Sequence, residues 1–389
     1  MRSAPLAYRL LYAYAKFCFR MFYRVRISGT DNIPKNKPLI FAANHQNALM
    51  DALAILFGSS KPVYFLARAD IFRNRIIARI LTYLRLMPVY RPRDGVDISG
   101  KNSEVFSEVA QMLANNEAIG IMPEGAHTHF KHLQPLKKGI CRMAFEAAEL
   151  KDFELDTMIV PVGLDFSNYH KHGSRLLIMF GNPVKVADYY ALYKETPNKA
   201  VAHLRDDLSK AIRALMIDVR DENEYSFIMG YAESEADRLL IKKNDAFRRF
   251  SFIKKEADKL NQLQKDNPEE FNRIKQEHYA GTVKPIDHKS IRKAKREKAF
   301  NRLTCFLLSI MFMVFNFPPV LLARYITGKL KDKQFVGSIT YGIYLVAFPV
   351  WYLLLFITAA LLWSAVAGLI IIMLAFKLAD SYLPDSECR

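Results

Sequence analysis

From Gln334 to Phe376 the chain runs for 43 residues without a charged side chain. A stretch this apolar cannot leave its backbone amides to water, and within one segment they satisfy each other only as helix. Its length exceeds the ~20 residues that carry one helix across ~30 Å of hydrocarbon. Two spans joined by a tight turn fit, and so does one long helix with a re-entrant piece. Upstream, Leu303 to Ala323 is also uncharged. It is just long enough for a span, with Asn316, Pro318 and Pro319 interrupting near its end. Trp351, Trp363 and several tyrosines are placed to anchor at an interface. Just before the first stretch stand Lys289, Arg292, Lys293, Lys295, Arg296, Lys298 and Arg302, opposed only by Glu297. Basic flanks stay on the cytoplasmic side, so the expected location is the membrane, with the active domain facing the cytoplasm. The loop Arg324–Lys333 is basic as well, so a hairpin that returns to the cytoplasm competes with a true crossing.

The charge balance points the same way. The 389 residues include 56 Lys and Arg against 39 Asp and Glu, a net charge of +17. Such a surplus calls for an anionic partner. No zinc-finger spacing, RNP-like segment or helix-turn-helix signature is present, so nucleic acid is not expected. Membrane lipids and a phosphorylated substrate are the expected partners. Cys18, Cys141, Cys305 and Cys388 are scattered, with no Cys-x-x-Cys pair. That argues against a disulfide framework or a cysteine zinc site and fits a reducing compartment. No secretory signal peptide is evident at the N-terminus.

Residues 5–24 have the pattern of an amphipathic helix. Leu6, Leu10, Leu11, Tyr14, Phe17 and Met21 supply apolar bulk, while Arg9, Lys16, Arg20 and Arg24 recur on one face. This suits a membrane interface. From Val25 to about residue 190, short apolar runs alternate with longer mixed segments. Expected strands are Leu39–Ala43, Val63–Leu66, Ile119–Met122, Met158–Leu164 and Leu176–Phe180, with helices around Ser103–Asn115 and Lys138–Leu150. Alternation of this kind predicts an α/β domain with a mixed, largely parallel sheet and flanking helices. A charged helical extension follows over 191–302, read as a solvated appendage, and residues 303–389 complete the chain as C-terminal transmembrane helices.

Four blocks inside 25–190 carry candidate chemistry. The first is Asn44-His45-Gln46-Asn47-Ala48-Leu49-Met50-Asp51, between an apolar strand and a helix start. A carboxylate that accepts from one imidazole nitrogen leaves the other able to take a proton. The second block, Leu86 to Arg93, ends a strand-like run in Arg91 and Arg93, whose forked donors suit a phosphate. The third is Pro123-Glu124-Gly125-Ala126-His127-Thr128-His129, followed by Leu136-Lys137-Lys138-Gly139 at a helix start, a favourable place for an anion. The fourth is Val160-Pro161-Val162-Gly163-Leu164. In an α/β sheet, loops at the carboxyl ends of strands converge on one crevice. A base, a carboxylate and a phosphate clamp beside membrane segments point to chemistry on a phosphorylated lipid. His129, His132, His170 and His172 have no zinc-ligand spacing, and no metal is expected.

This order of blocks resembles the glycerol-phosphate acyltransferase superfamily, which includes the lysophosphatidate acyltransferases. The resemblance covers roughly residues 25–190. It implies transfer of a fatty acyl group from acyl-CoA or acyl carrier protein to the hydroxyl of 1-acyl-glycerol-3-phosphate or glycerol-3-phosphate, in phospholipid biosynthesis, with no cofactor beyond the acyl donor. A lysophospholipid or an amino-acid lipid is the alternative acceptor, and a non-catalytic lipid-binding protein the alternative class. By resemblance, His45 is the general base and Asp51 its orienting carboxylate. Asn44, Arg91, Arg93, Glu124, Gly125, His127 and Lys137 are assigned to substrate. Two departures stand out. Five residues rather than four separate His45 from Asp51, so the two can pair only if the turn before the helix absorbs the extra one. The family often has Arg two residues after its Glu-Gly, where this chain has His127. That leaves the phosphate contact to His127, Lys131 or Lys137.

Overall fold

In the computed structural model, which describes residues 5–90, 98–126, 128, 130–169, 172–239, 245–280, 315–330, 332–362 and 364–382, eight strands form one sheet. They are β1 (Tyr23–Ser28), β2 (Leu39–Ala43), β3 (Val63–Arg68), β4 (Leu86–Val89), β5 (Ala118–Ile121), β6 (Met158–Phe166), β7 (Ser174–Phe180) and β8 (Val184–Lys185). Their spatial order is β1-β7-β6-β2-β5-β3-β4, with β8 beside β6. β6, β2, β5, β3 and β4 are mutually parallel, as are β1 and β7. The antiparallel pairings are β6 with β7 and with β8. The sheet is mixed and largely parallel, as the alternation predicted.

Helices cover both faces, which is why β2 is buried at all five positions. Its alternating side chains divide between two cores. Ile40 and Ala42 join Val109, Leu113, Phe145 and Leu204 from α4 (Ile98–Ala114), α5 (Gly139–Glu149) and α7 (Pro197–Ala214). Leu39 and Phe41 join Phe19, Met50 and Ile55 from α1 (Leu6–Phe22) and α2 (Leu49–Ser59). Between β3 and β4 lies α3 (Arg75–Tyr83), absent from the sequence reading. Asn74 caps it, accepting from the N–H groups of Ile76 and Ile77 at 2.9 and 3.2 Å. A short helix, α6 (Tyr190–Glu195), precedes α7.

Pro161 lies in a central strand, where a missing N–H would normally cost a ladder bond. Its carbonyl accepts from Gly181 at 2.9 Å, so its nitrogen faces the same side, onto the break between β7 and β8. The proline sits where no strand asks for the donor. Gly163, two residues on, accommodates the end of α7: a Cβ there would lie 2.1 Å from the Leu215 carbonyl oxygen.

The segment after residue 197 is helical, but it is not a solvated appendage. α8 (Tyr225–Arg238), α9 (Ala246–Asp266) and α10 (Pro268–Tyr279) bury Phe227, Ile228, Phe250, Ile253 and Phe271 together with Leu177 and Met179 of β7. Most of its charges occupy the outer helix faces, with Glu235 and Arg249 buried as exceptions, and the apolar positions form a third core fused to the sheet. A helix over 315–328, here α11, precedes α12 (Val336–Leu362) and α13 (Ala365–Tyr382). α12 is the one described helix long and apolar enough to cross a membrane. At 1.5 Å per residue it is about 40 Å long. Asn316 bonds both Tyr352 and the Ala375 carbonyl, which places α13 back along α12 as a hairpin. Residues 303–314, the start of the first expected span, lie outside the described residues.

Substitutions at two glycines should separate packing from propensity. Gly163→Val should cost about 1–3 kcal/mol through overpacking against Leu215. Gly230→Ala, inside α8 with His278 Nε2 at an ordinary 3.7 Å from the added Cβ, should stabilise by about 0.5–1 kcal/mol. Thermal unfolding of the purified protein in detergent reads both. Equal shifts would contradict the packing of α7 on β6.

Candidate active site

The site is built where β2, β5 and β6, adjacent and aligned, end together. The chain leaves β2 at Ala43 and turns through Asn44–Ala48 into α2. Asn44 is fully buried. Its amide donates to the Leu164 carbonyl at 3.0 Å and its oxygen accepts from the Leu164 N–H at 2.8 Å. With both ends spent on β6, Asn44 has nothing to offer a substrate. Its expected substrate-binding role is corrected to one of pinning the turn.

Asp51 lies in the first turn of α2 and is fully buried. A single oxygen, Oδ2, accepts from the N–H groups of Gln46 and Asn47 at 2.8 and 2.7 Å and meets His45 Nδ1 at 2.8 Å. The five-residue spacing is thus absorbed before the helix begins. It is absorbed at Ala48, whose φ of 45° and ψ of −123° fall in territory normally left to glycine. Strain of this kind costs about 1–3 kcal/mol and persists only where the surroundings fix it. Here they do, and alanine carries the smallest side chain that is not glycine.

Two residues the sequence reading missed hold the turn from behind. Asn47 Nδ2 donates to the Tyr23 hydroxyl at 3.1 Å and to the Tyr169 carbonyl at 3.0 Å. Gly337, in the first turn of α12, closes this network. A Cβ on it would stand 2.7 Å from the Tyr169 carbonyl oxygen and 3.2 Å from Asn47 Oδ1. Asn47 and Gly337 are 290 positions apart in the chain, and no local pattern could have paired them.

Glu124 follows β5 as His45 follows β2, and the two strands are neighbours. Its Oε1 accepts from the His45 N–H at 2.6 Å and its Oε2 from the Gln134 N–H at 2.8 Å. Both oxygens are occupied, so Glu124 braces the His45 turn against the 123–136 loop rather than facing a ligand. Burial pushes its carboxyl up to about 7, against the pull of the Gln134 and His45 amides. Gly125 turns the chain with φ of 68°, a conformation that L side chains rarely adopt; a Cβ there would meet the Lys137 stem only at an ordinary 3.5 Å, so the backbone and not the space calls for glycine. Lys137 is exposed and makes no ion pair among the described residues. Lys131 is excluded as a phosphate ligand, because its ammonium is paired with the buried Asp165. Asp218 anchors the same loop through the Leu133 N–H at 2.9 Å and through Arg213. Arg91, Arg93 and His127 lie outside the described residues. Tyr90 ends the described part of that segment, just beyond β4 at the sheet edge.

The site therefore presents an imidazole, 15% exposed, with Nδ1 held by a buried carboxylate, and a lysine beside the start of α5. That is equipment for removing a proton from a hydroxyl next to an anionic group. Residues 24–165 match the family model described as "Acyltransferase". Glycerol-3-phosphate O-acyltransferase 1 of Saccharomyces cerevisiae is 34% identical over 120 residues, covering 30% of this chain and 16% of the relative. The mouse 1-acyl-sn-glycerol-3-phosphate acyltransferase alpha is 27% identical over 140 residues, covering 36% of this chain and 46% of the relative. The chain thus spans about a sixth of the first relative's length and about half of the second's. The crystal structure of the 1-acyl-sn-glycerophosphate acyltransferase PlsC from Thermotoga maritima aligns with a TM-score of 0.37 at 18% identity, covering 53% of this chain and 79% of that one. Over residues 24–165 this chain is therefore similar to the acyltransferase family.

Proposed function

We propose that the protein transfers a fatty acyl group from a thioester, acyl-CoA or acyl carrier protein, to the hydroxyl of a glycerol-phosphate-type acceptor. The observation that carries this reading is the 2.8 Å contact between His45 Nδ1 and Asp51 Oδ2. With Nδ1–H donating to Asp51, Nε2 is the basic nitrogen. It takes the acceptor's hydroxyl proton as the oxygen attacks the thioester carbonyl carbon. The carbon–sulfur bond then breaks, its electron pair leaves on sulfur, and the imidazolium returns the proton to the thiolate. Asp51 stays ionised throughout, its Oδ2 already aimed by two backbone amides, and stabilises the imidazolium. Lys137, with Arg91 and Arg93 from the segment after β4, supplies positive charge for the acceptor phosphate. The acceptor class includes both glycerol-3-phosphate and its 1-acyl derivative, the compounds in the relatives' names. α12 inserts in the bilayer, and the basic 289–302 segment keeps the sheet domain on the cytoplasmic side.

Membranes containing the protein, given labelled acyl-CoA or acyl carrier protein and a panel of acceptors, test the reading. Transfer to phosphate-bearing glycerol acceptors is expected. Failure to acylate any of them, with both donors, would overturn it. Within that assay His45→Ala should lower turnover by about a hundredfold to ten-thousandfold. Asp51→Asn should also lower it by at least about a hundredfold, since an amide oxygen without charge stabilises the imidazolium poorly. Turnover above roughly a third of wild type in either variant would remove that residue from the mechanism.

Glu124 adds a pH signature. Its folded carboxyl titrates at about 7, above its ordinary value of 4.5. Between these values the folded protein holds a proton that the unfolded chain has released. The stabilisation is therefore complete at low pH and is lost as pH rises through about 7. Its full size is up to about 3 kcal/mol. Raising pH from about 5 to about 8 should lower the wild-type melting temperature more than that of Glu124→Gln, which cannot titrate. Parallel curves for the two proteins would refute the assignment.

A further inference from the structure

α1 has more apolar surface than the sheet can cover. Tyr8, Phe19 and Phe22 are buried, but Leu6, Leu10, Tyr14 and Phe17 face outward. Where α1 runs beside α12, the two helices enclose an apolar cavity of about 260 Å³. Its walls include Tyr14, Cys18 and Phe22 from α1 and Tyr341, Phe348 and Tyr352 from α12.

Three tyrosines in this wall commit their hydroxyls to neighbouring helices. Tyr14 donates to the Leu345 carbonyl at 2.7 Å, Tyr341 to the Ala15 carbonyl at 2.7 Å, and Tyr352 to Asn316 Oδ1 at 2.9 Å. The Leu345 carbonyl needs a donor because Pro349, four residues on, has no N–H to give it. The hydroxyls of Tyr14, Tyr341 and Tyr352 are thus spent on contacts between helices, and the lining is almost entirely carbon. No charged side chain is among the described residues of the wall. A phosphate or a nucleotide would find no partner, and water would have none to hold it. The volume falls just below the ~300–1,000 Å³ of sites for drug-sized molecules, which suits one slender chain.

The two ends of the cavity differ. At one end Phe22 and Tyr341 pack with rings 5.7 Å apart. Phe22 also meets Tyr23 at 4.9 Å, and the Tyr23 hydroxyl holds Asn47 of the catalytic turn. At the other end Phe17 and Pro349 are exposed, continuous with the open apolar side chains of α12 such as Val350 and Leu353. We propose that this cavity binds a single unbranched fatty alkyl chain, lying along α1 and α12 with its head end nearest the catalytic turn. The chain comes either from a reacting acyl lipid, a source that rests on the acyl-transfer reading, or from a bilayer phospholipid, a source that does not. Both present the same methylene surface.

Photolabelling distinguishes them. Full-length protein in detergent is irradiated with palmitoyl-CoA bearing a mid-chain diazirine, and separately with phosphatidylcholine bearing the same chain. Adducts are mapped by peptide mass spectrometry. The expected result is label on residues 14–22 and 341–352, undiminished in His45→Ala, since binding the chain does not need the base. Label from the CoA probe identifies a reacting lipid, and label from the phospholipid probe identifies a bilayer tail. Cys18→Phe and Met21→Trp, two independent fillings of the cavity, should each reduce label about tenfold, as expected when the space of two methylenes is lost. Thermal unfolding shows which of the two variants is folded. No label on either segment from either probe, or undiminished label in a folded filling variant, would overturn the proposal. Loss of turnover in wild type with label retained would instead count against acyl transfer alone.

Discussion

A single oxygen atom, Asp51 Oδ2, gathers three contacts within 2.8 Å: His45 Nδ1 and the amides of Gln46 and Asn47. A carboxylate deprived of water needs such donors to stay charged. Here the donors come from the very turn that carries His45, so satisfying the carboxylate and aiming the imidazole are one event. The strained Ala48 backbone is the local cost of that arrangement, and the contacts around the turn keep it in place. Asn44 fastens the turn to β6, Glu124 to the loop after β5, and Asn47 to Tyr23 and Tyr169.

The parallel order of β6, β2 and β5 makes these contacts possible. Neighbouring parallel strands end at one level, so the loops that leave them meet across the sheet edge. Glu124 and His45 are 79 positions apart in the chain and 2.6 Å apart in space for this reason. Gly163 and Pro161 then appear as requirements of packing and pairing on β6, independent of substrate.

The helices outside residues 24–165 are more than attachments. Gly337 brings α12 onto Asn47 and the Tyr169 carbonyl, and Tyr341 bonds the α1 backbone. A helix of about 40 Å with an apolar surface is therefore rooted at the back of the His45 turn. α1 carries its basic stripe between two apolar faces, one in the core and one open. α3 shows Ile76, Ile77 and Ile80 to the outside. Exposed apolar side chains on α1, α3 and α12 are surface that a lipid phase would cover better than water.

The sequence alone determined the alternation of strand and helix, the largely parallel sheet and the uncharged C-terminal run, because periodicity and hydropathy are local properties. It also exposed His45, Asp51 and Glu124 as residues standing where strands end. β1, β8 and α3 escaped it: β1 alternates basic and apolar residues as an edge strand, β8 is two residues long, and the apolar face of α3 is turned outward. Whether His45 and Asp51 meet across five residues was undecided by spacing, since a regular helix would separate them. The tertiary structure decided it through the Ala48 turn. It also moved Asn44 from substrate to scaffold, gave Glu124 a bracing role, and took Lys131 from the phosphate to Asp165. It turned the charged extension into a third core as well. The Ala48 turn is local, but its geometry is held by neighbours from other elements; for Asn44, Glu124, Lys131 and the extension the deciding partner itself lies on a neighbouring strand, loop or packed helix, and such pairings exist only once the sheet has formed.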